Sequence, residues 1–292
     1  MNPVFDFSDA ALRALAQADV ARALHEDVGS GDLTAGLIDP ARRAHARVLA
    51  RESAVICGVA WVEATLQQIE PSARITWHVR DGQRCSADQV VLEIEGSARS
   101  LLTAERTLLN FLQLLSAVAT HTATYVAAVQ AVPGNRAQIV DTRKTLPGLR
   151  MAQKYAVLAG GGTNHRIGLY DAVLIKENHI AAAGSVTAVL QQAAAVAPTA
   201  KFVEIEVETL VQLQEALDAG ARMVLLDNMS LDMLREAVRL NAGRAILEVS
   251  GGVSMATVRD IAATGVDRIS IGALTKDVKA IDFSMRFSAT SA

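Results

Sequence analysis

Residues 223–252 read MVLLDNMSLDMLREAVRLNAGRAILEVSGG and carry the clearest folding signal in the chain. An apolar run, Met223–Leu226, is followed by an amphipathic segment, Leu231–Leu240, and by a second apolar run, Ala245–Val249. Nearly continuous apolar runs predict strands that are buried on both faces, as in a parallel sheet. Two such strands joined by a helix predict a strand–helix–strand unit with a right-handed crossover.

The same alternation repeats along the C-terminal half of the chain. Further strands are predicted at Ile139–Val140, Ala172–Ile175, Phe202–Val207 and Arg268–Ile271, with helices at Val186–Ala197, Leu210–Ala219 and Met255–Thr264. No Gly-x-Gly-x-x-Gly loop follows a strand and opens a helix, so the dinucleotide-binding fingerprint is absent. The six strand–helix units therefore favour a partial or complete (β/α) barrel of parallel strands.

The N-terminal third has a mixed pattern. Helices are predicted over Phe7–Leu24, with Ser8 as N-cap, over Val62–Ile69 and over residues 101–131, and strands over Ala44–Ile56, Ile75–Val79 and Val90–Glu95. In fold class we predict an α/β protein. Its N-terminal α/β sandwich-like domain, residues 1–115, is followed by a (β/α) barrel-like domain with parallel strands, residues 116–279. Residues 280–292 leave the barrel pattern and are candidates to rejoin the first domain.

The composition excludes several classes of function. The chain has 292 residues, of which 51 % are hydrophobic and 20 % charged, and its net charge is -3. This balance predicts neither a nucleic-acid surface nor a membrane surface. Met1–Asp9 lacks the pattern of a signal peptide, and no apolar run approaches the roughly 20 residues of a membrane helix. Because Cys57 and Cys85 lack the spacing of a metal or redox motif, we predict a cytoplasmic protein with two reduced thiols.

Polar residues and glycines lie at or near the C-terminal ends of the predicted strands, where barrel enzymes build their active sites. They are Arg143, Lys144, Lys176, Glu206, Asp227, Ser250, Gly251 and Gly272, joined by His165 and Arg166 in the loop between two strands. Five cations near one barrel mouth predict an anion site, and the fork of an arginine suits a planar carboxylate.

The acidic residues and the glycines each leave two interpretations open. Glu206 and Asp227 can ligate Mg²⁺ or bind ribose hydroxyls, or they can form only salt bridges with the nearby lysines. The segment Ser250–Gly252 and Gly272 either hold a phosphate on backbone N–H groups or form ordinary turns after strands.

Several longer motifs resemble the signatures of quinolinate phosphoribosyltransferases. They are DTRKTLPGLR at 141–150, KYAV at 154–157, GGGTNHR at 160–166, LIKENH at 174–179, DNM at 227–229, EVSGG at 248–252 and SIGALT at 270–275, with EDVGSGDLT at 26–34 and AERT at 104–107. The resemblance covers nearly the whole chain. It implies an N-terminal α/β domain, a barrel-like C-terminal domain, and the synthesis of nicotinate mononucleotide from quinolinate and phosphoribosyl pyrophosphate.

The resemblance also implies a role for each site residue. Its implied ligands for the two carboxylates of quinolinate are Arg143, His165, Arg166 and Lys176. Its implied partners for phosphoribosyl pyrophosphate and Mg²⁺ are Lys144, Glu206 and Asp227, with the two acids as metal ligands, while Ser250, Gly251 and Gly272 lie at the phosphate end. It implies an obligate homodimer in which Arg106 reaches the site of the partner subunit. One departure is Lys276-Asp277, where the family usually has His-Ser.

Two other classes of function compete with this reading. A Schiff-base barrel aldolase would use Lys176 as its nucleophile, and a transport-associated paralogue linked to molybdenum shares the fold. A nucleophilic lysine should not stand among many cations, and the intact segments Asp141–Lys144 and Asn164–Arg166 favour the phosphoribosyltransferase.

Overall fold

The structure is a computed structural model that describes residues 6–288, and these residues form two compact units. The barrel unit comprises Thr122–Thr145 and Gly162–Lys276, and the N-terminal unit comprises residues 6–121, Leu146–Gly161 and residues 277–288. The units are interleaved along the chain, whereas the sequence prediction used one boundary after residue 115. The predicted outer limits, residues 1 and 292, lie outside the described residues.

The elements of the described chain follow the predicted order closely. The strands are β1 (Arg43–Ala50), β2 (Ala54–Val55), β3 (Arg74–Trp77), β4 (Arg84–Cys85), β5 (Val90–Ser97), β6 (Gln138–Val140), β7 (Val173–Ile175), β8 (Val203–Val207), β9 (Met223–Asp227), β10 (Ile246–Ser250), β11 (Arg268–Ser270) and β12 (Phe283–Phe287). The α-helices are α1 (Asp9–Asp27), α2 (Val59–Ile69), α3 (Ala98–Gln130), α4 (Arg150–Ala159), α5 (Glu177–Ala183), α6 (Val186–Ala193), α7 (Leu210–Asp218), α8 (Leu231–Asn241), α9 (Val258–Ala262) and α10 (Ala273–Lys276). Short 3-10 helices cover Ala35–Leu37 and Ala197–Thr199.

Six parallel strands form the sheet of the barrel unit, in the order β6–β11–β10–β9–β8–β7. The first of these strands, β6, pairs with the last, β11, as in a closing barrel, while no ladder joins β6 to β7 among residues 6–288. The sheet is therefore a partial barrel, which confirms the predicted parallel architecture. Its core contains Ile205, Val207 and Leu226, whose side chains are fully buried. The helix predicted over Val186–Ala197 ends at Ala193, shortly before Pro198, which cannot continue an α-helix.

The N-terminal unit contains a four-stranded antiparallel sheet in the order β12–β1–β5–β3 and a small pair formed by β2 and β4. The single strand predicted over Ala44–Ile56 is divided, because the polar run Arg51-Glu52-Ser53 interrupts the apolar pattern. Residues 280–292 were predicted as candidates to rejoin the first domain. Strand β12 pairs with β1, so residues 283–287 belong to the N-terminal unit, and residues 289–292 lie outside the described residues. The predicted N-cap is confirmed, since the Ser8 hydroxyl accepts a hydrogen bond from the backbone N–H of Ala11.

A half-buried carboxylate links two helices of the N-terminal unit. Asp81 accepts hydrogen bonds from the backbone N–H groups of Gly58 and Val59, at 2.8 and 3.1 Å, where α2 begins. It also accepts a hydrogen bond from the hydroxyl of Tyr155 on α4, at 2.8 Å. Burial raises the pKa of Asp81, and these three hydrogen bonds oppose the rise only in part. Asp81 therefore anchors α4, the helix whose two flanking loops lead to Arg143 and His165.

Helix α3 is long and apolar enough to cross a membrane by length and composition alone. Its most apolar 18-residue window has a mean hydropathy of 1.2, and 56 % of that window is buried inside the protein. The sequence expectation that no segment reaches membrane length is therefore wrong for this helix. The leucines predicted to form its buried face, including Leu108, Leu109 and Leu112, pack in the core of the N-terminal unit. Such burial is typical of a core helix.

Candidate active site

A cavity of about 180 Å³ opens within the barrel unit at the C-terminal ends of its strands. Seven of the predicted site residues line it, namely Arg143, Lys144, His165, Arg166, Lys176, Glu206 and Ser250. Five lining residues were not predicted, namely Thr142, Leu174, Leu225, Glu248 and Ser270. We call this cavity the anion pocket, because five of its twelve lining residues are arginine, lysine or histidine.

Two guanidinium groups define the character of the anion pocket. Arg143 follows β6, and Arg166 lies in the loop before β7 with only 9 % of its surface exposed. Burial lowers the pKa of Arg166, and the positive charge of Arg143 lowers it further. Two like charges held together in a partly buried pocket are stabilised by an anionic ligand that bonds to both.

The predicted acidic pair lies on neighbouring strands. Glu206 stands on β8 with 12 % of its side chain exposed, and its carboxylate lies 3.2 Å from the ammonium group of Lys176. Burial raises the pKa of Glu206, the ion pair with Lys176 lowers it, and the charges of Asp227 and Glu177 raise it again. Asp227 ends β9 and does not line the anion pocket.

The donor set of this acidic pair fits Mg²⁺. Burial is the main cause that raises the pKa of Glu206, and the negative charge of Asp227 adds a smaller rise, so a divalent cation bound by both acids would stabilise their charged forms. Carboxylate oxygens are ligands that Mg²⁺ prefers, and it usually needs only one or two of them beside substrate phosphates. The residues present therefore suit the predicted metal ion.

Both predicted glycines stand where a side chain would collide with a neighbouring site residue. Gly251 has a φ of +93°, and a Cβ there would lie 2.1 Å from Oδ1 of Asn228. Asn228 in turn donates a hydrogen bond from Nδ2 to Asp227 at 2.8 Å. A Cβ at Gly272 would lie 2.9 Å from Cδ of Lys144. The positive φ and the close approach of Asn228 explain a glycine at position 251, whereas at Gly272 the flexible Lys144 side chain would have to move to accept a larger residue.

A cluster of four titratable residues adjoins the anion pocket, and two of them, His165 and Glu248, line it. Nε2 of His165 lies 2.8 Å from Glu204 and 3.5 Å from Glu248, and Glu248 accepts a hydrogen bond from Nε of Arg268 at 2.8 Å. Both glutamate side chains are completely buried. Burial raises the pKa of Glu204 to about 8 and that of Glu248 to about 7. Burial therefore opposes two full negative charges in this cluster unless both acids keep their hydrogen-bonding partners.

Sequence reasoning missed part of this cluster. Glu204, Glu248 and Arg268 were not predicted as site residues, although Glu248 begins the EVSGG motif. A signal was available, because Glu248 lies two residues before Ser250 on β10 and so points to the same side of the sheet. The pairing of Glu248 with Arg268 depends on the register of β10 and β11, where the two residues are opposite each other.

Arg106 and Lys276 are the two remaining residues of interest. Arg106 lies on α3 in the N-terminal unit and is exposed, so its predicted contribution to a partner's site stays a prediction. Lys276 is exposed at the end of α10, the short helix that directly follows Gly272. The unusual Lys276-Asp277 pair therefore begins at the carboxyl side of the barrel sheet.

Comparison with known proteins agrees with this architecture. A family model described as the quinolinate phosphoribosyl transferase C-terminal domain matches residues 118–286, and the corresponding N-terminal domain model matches residues 32–116. A Mycobacterium leprae protein named nicotinate-nucleotide pyrophosphorylase (carboxylating) is 43 % identical over 273 residues, covering 91 % of this chain and 95 % of the relative. A Bacillus subtilis protein named probable nicotinate-nucleotide pyrophosphorylase (carboxylating) is 40 % identical over 260 residues, covering 89 % of each chain.

The solved structure of the nicotinate-nucleotide pyrophosphorylase from Francisella tularensis superimposes with a TM-score of 0.90 at 39 % identity, covering 99 % of this chain and 100 % of that one. Matches of this extent exceed what a shared fold alone requires. The chain belongs to the quinolinate phosphoribosyltransferase family. This finding confirms the resemblance seen in the motifs and the predicted fold class.

Proposed function

We propose that this protein transfers a phosphoribosyl group from phosphoribosyl pyrophosphate to quinolinate and releases pyrophosphate and CO₂, giving nicotinate mononucleotide for NAD biosynthesis. The observation that carries the proposal is the anion pocket, where Arg143 and Arg166 stand together at the carboxyl ends of the barrel strands. A planar dicarboxylate matches two guanidinium forks in charge and in geometry. Membership of the family supports the same substrates.

The cationic side of the anion pocket is proposed to hold the substrate carboxylates. Arg143 and Arg166 supply bidentate donors, and Lys176 supplies a point charge that Glu206 keeps in place. For His165 the family resemblance implies a direct contact with a carboxylate. Fixing the aromatic ring in this way directs its nitrogen at the ribose. It also removes much of the entropic cost of bringing that nitrogen to ribose C1.

The acidic side is proposed to serve phosphoribosyl pyrophosphate. Glu206 and Asp227 would hold Mg²⁺, which when bound supplies charge neutralisation for the pyrophosphate. Lys144 lies over Gly272 and offers its ammonium group to a phosphate, while Ser250 and Gly251 offer the turn after β10. The ribose would then lie between the acids and the aromatic ring.

The proposed reaction needs no protein nucleophile. The bond from ribose C1 to pyrophosphate breaks with the electron pair leaving on pyrophosphate, and the nearby carboxylates stabilise the cation-like ribose. The quinolinate nitrogen then forms the new bond to C1 and becomes positively charged. That charge draws electrons from the 2-carboxylate, which leaves as CO₂, and a proton takes its place on the ring carbon.

The proposal extends to assembly and location. We infer a homodimer in which Arg106 from one subunit completes the anion pocket of the other, because a two-fold axis delivers the same arm to both sites. We also infer a cytoplasmic protein that binds neither nucleic acid nor membrane, since the net charge is only -3 and more than half of the apolar window of α3 is buried.

One assay separates this proposal from its competitors. The protein is incubated with quinolinate, phosphoribosyl pyrophosphate and Mg²⁺, and CO₂ and mononucleotide are measured together. We expect the two products in equal amounts. Ligand binding without products would instead favour the transport-associated paralogue. Borohydride trapping on Lys176 would favour an aldolase, although the ammonium of Lys176 lies 3.2 Å from Glu206 and a Schiff-base lysine must be neutral to attack.

A further inference from the structure

We propose that Glu204 is a positioning residue for the anion pocket: its carboxylate fixes the ring of His165, and His165 in turn fixes the backbone that carries Arg166. The inference deepens the proposed function and rests on it, because the ligand concerned is the aromatic dicarboxylate assigned to this pocket. It changes the role of His165 from a substrate ligand to a structural link.

Both ring nitrogens of His165 are engaged within the barrel unit. Nε2 lies 2.8 Å from Glu204 Oε2, and Nδ1 accepts the backbone N–H of Arg166 at 2.7 Å. A neutral imidazole carries one ring proton, so acceptance at Nδ1 places that proton on Nε2, where it is donated to Glu204. In this arrangement His165 has no ring N–H to offer to a ligand.

The surroundings of the ring leave it one orientation. The ring of Phe202 meets the His165 ring edge-on, with centroids 5.2 Å apart and an angle of 83° between the planes. The backbone N–H of His165 donates to Oδ1 of Asp141 at 2.8 Å, which holds the chain at the same point. Only 7 % of His165 is exposed, so water cannot readily replace Glu204 as the acceptor of its ring proton.

One ion pair and one hydrogen bond keep the buried acids from occupying the substrate's place. Glu248 Oε2 accepts a hydrogen bond from Nε of Arg268 at 2.8 Å, and Glu204 is paired with His165. Without these pairings the two carboxylates would compete with a dianionic ligand for the guanidinium of Arg166, whose charge already interacts with Glu204. The pairings therefore leave Arg166 directed at the ligand.

The position of Arg166 depends on this chain of contacts. Its backbone N–H is bound to His165, and its Nη1 donates to the carbonyl of Ala172 at 3.4 Å, a long and weak hydrogen bond. The backbone contact is therefore the stronger of the two. A guanidinium that forms a bidentate hydrogen bond with a planar carboxylate tolerates little displacement. Loss of Glu204 should therefore weaken the binding of the aromatic dicarboxylate specifically.

The first test reads the imidazole directly and requires no turnover. Histidine labelled with ¹⁵N in the ring reports by NMR which nitrogen carries the proton, and the His165→Gln spectrum identifies the signal among the six histidines. In the unliganded protein we expect the proton on Nε2. We expect the same signal in Glu204→Gln, which keeps an oxygen acceptor, and a changed one in Glu204→Met, which has none. Addition of quinolinate should leave the wild-type Nε2–H signal unchanged, because the Nε2–H group stays hydrogen-bonded to Glu204.

The second test is a split between the two substrates. In Glu204→Met the KM for quinolinate should rise about tenfold or more, with the KM for phosphoribosyl pyrophosphate changed less than about threefold. Glu204→Gln should stay within about threefold of wild type for both. Glu208→Gln is the matched control, because Glu208 lies on the same chain segment, is exposed and changes the net charge equally. It should behave as wild type.

A third pair of variants covers the case in which Glu204→Met does not fold. His165→Asn keeps a side-chain oxygen near the place of Nδ1 that accepts the N–H of Arg166, whereas His165→Leu does not. We expect the asparagine variant to bind quinolinate at least about fivefold more tightly than the leucine variant in calorimetry.

Several results would overturn the inference. They are a ring proton on Nδ1, a shift of the Nε2–H signal to a substrate hydrogen bond, an unchanged KM for quinolinate in a folded Glu204→Met, and equal binding by the two His165 variants. Failure of the wild-type protein to form product would instead count against the proposed function. The NMR result on the unliganded protein would stand in that case, so the two failures are distinguishable.

Discussion

Replacing Gly251 by alanine should impair the use of phosphoribosyl pyrophosphate, while the same change at Gly252 should not. Both glycines have a positive φ, +93° and +61°, so alanine is strained at both and each variant should lose about 1–2 kcal/mol of folding free energy. Of the two glycines, only Gly251 lies so close to a neighbouring side chain that an added Cβ would clash with it. A Cβ there would lie 2.1 Å from Oδ1 and 2.7 Å from Cγ of Asn228, whereas a Cβ at Gly252 meets nothing within 4 Å.

The magnitude follows from what Asn228 does. Its side chain must move away from the new methyl group, and the 2.8 Å hydrogen bond from its Nδ2 to Asp227 is then lost. A hydrogen bond to a charged acceptor contributes about 1.5–3 kcal/mol, and we take about 1–2 kcal/mol because Asn228 is exposed. The KM for phosphoribosyl pyrophosphate should therefore rise about 5- to 30-fold.

The assay is steady-state formation of the mononucleotide at saturating quinolinate, with the unfolding temperature of each variant measured in parallel. Both alanine variants should unfold at lowered temperatures, Gly251→Ala at the lower of the two because of the clash with Asn228, and only Gly251→Ala should show the raised KM. Equal KM values in the two variants, with both proteins folded, would mean that Asn228 does not hold Asp227 in its working position.

Four further predictions address the remaining parts of the site and the fold. Arg143→Ala should lower kcat/KM for quinolinate about 30- to 1000-fold, a loss of about 2–4 kcal/mol, and a variant within about threefold of wild type would contradict its assignment to a carboxylate. Asp227→Asn should weaken the binding of Mg²⁺ with phosphoribosyl pyrophosphate and leave quinolinate binding nearly intact, and the reverse pattern in calorimetry would refute its assignment. Mixing and refolding Arg106→Ala with Arg143→Ala should restore about a quarter of wild-type activity, since half of the dimers are hybrids with one complete site; no recovery despite proven subunit exchange would place Arg106 outside the partner's pocket. Burial raises the pKa of Asp81 above its usual 3.8, so the folded protein keeps that proton to higher pH than the unfolded chain does. As the pH rises above about 4, the contribution of Asp81 to stability should therefore be lost in wild type and not in Asp81→Asn, as measured by urea unfolding; parallel pH curves would show that Asp81 does not titrate in this way.

The elements of the barrel were predictable because their signals are local. An apolar run such as Met223–Leu226 predicts a buried strand without reference to any distant residue, and β9 was found at that place. The polar residues that follow such runs were predictable for the same reason. Parallel strands bring their carboxyl ends to one edge, so Arg143, Lys176 and Glu206 were expected near one another and they line the same cavity.

The membership of α4 in the N-terminal unit could not be read from chain order. The segment Leu146–Gly161 lies between two strands of the barrel unit and looks like an ordinary crossover in sequence. Its hydrogen bond from Tyr155 to Asp81 joins residues that are 74 positions apart. Only the packing of the folded chain brings such partners together.

Sequence by itself determined the kinds of residue at the barrel mouth, because the side-chain period of a strand and the turn that follows it are set by neighbours in the chain. Tertiary structure alone decided which of those residues contact each other. His165 was expected to contact the substrate, yet both of its ring nitrogens face protein groups, Glu204 and the backbone of Arg166. Glu248 meets Arg268 through the register of two strands. A buried charge must find its partner across the sheet, and the free energy of that pairing depends on distances that exist only after the strands have assembled.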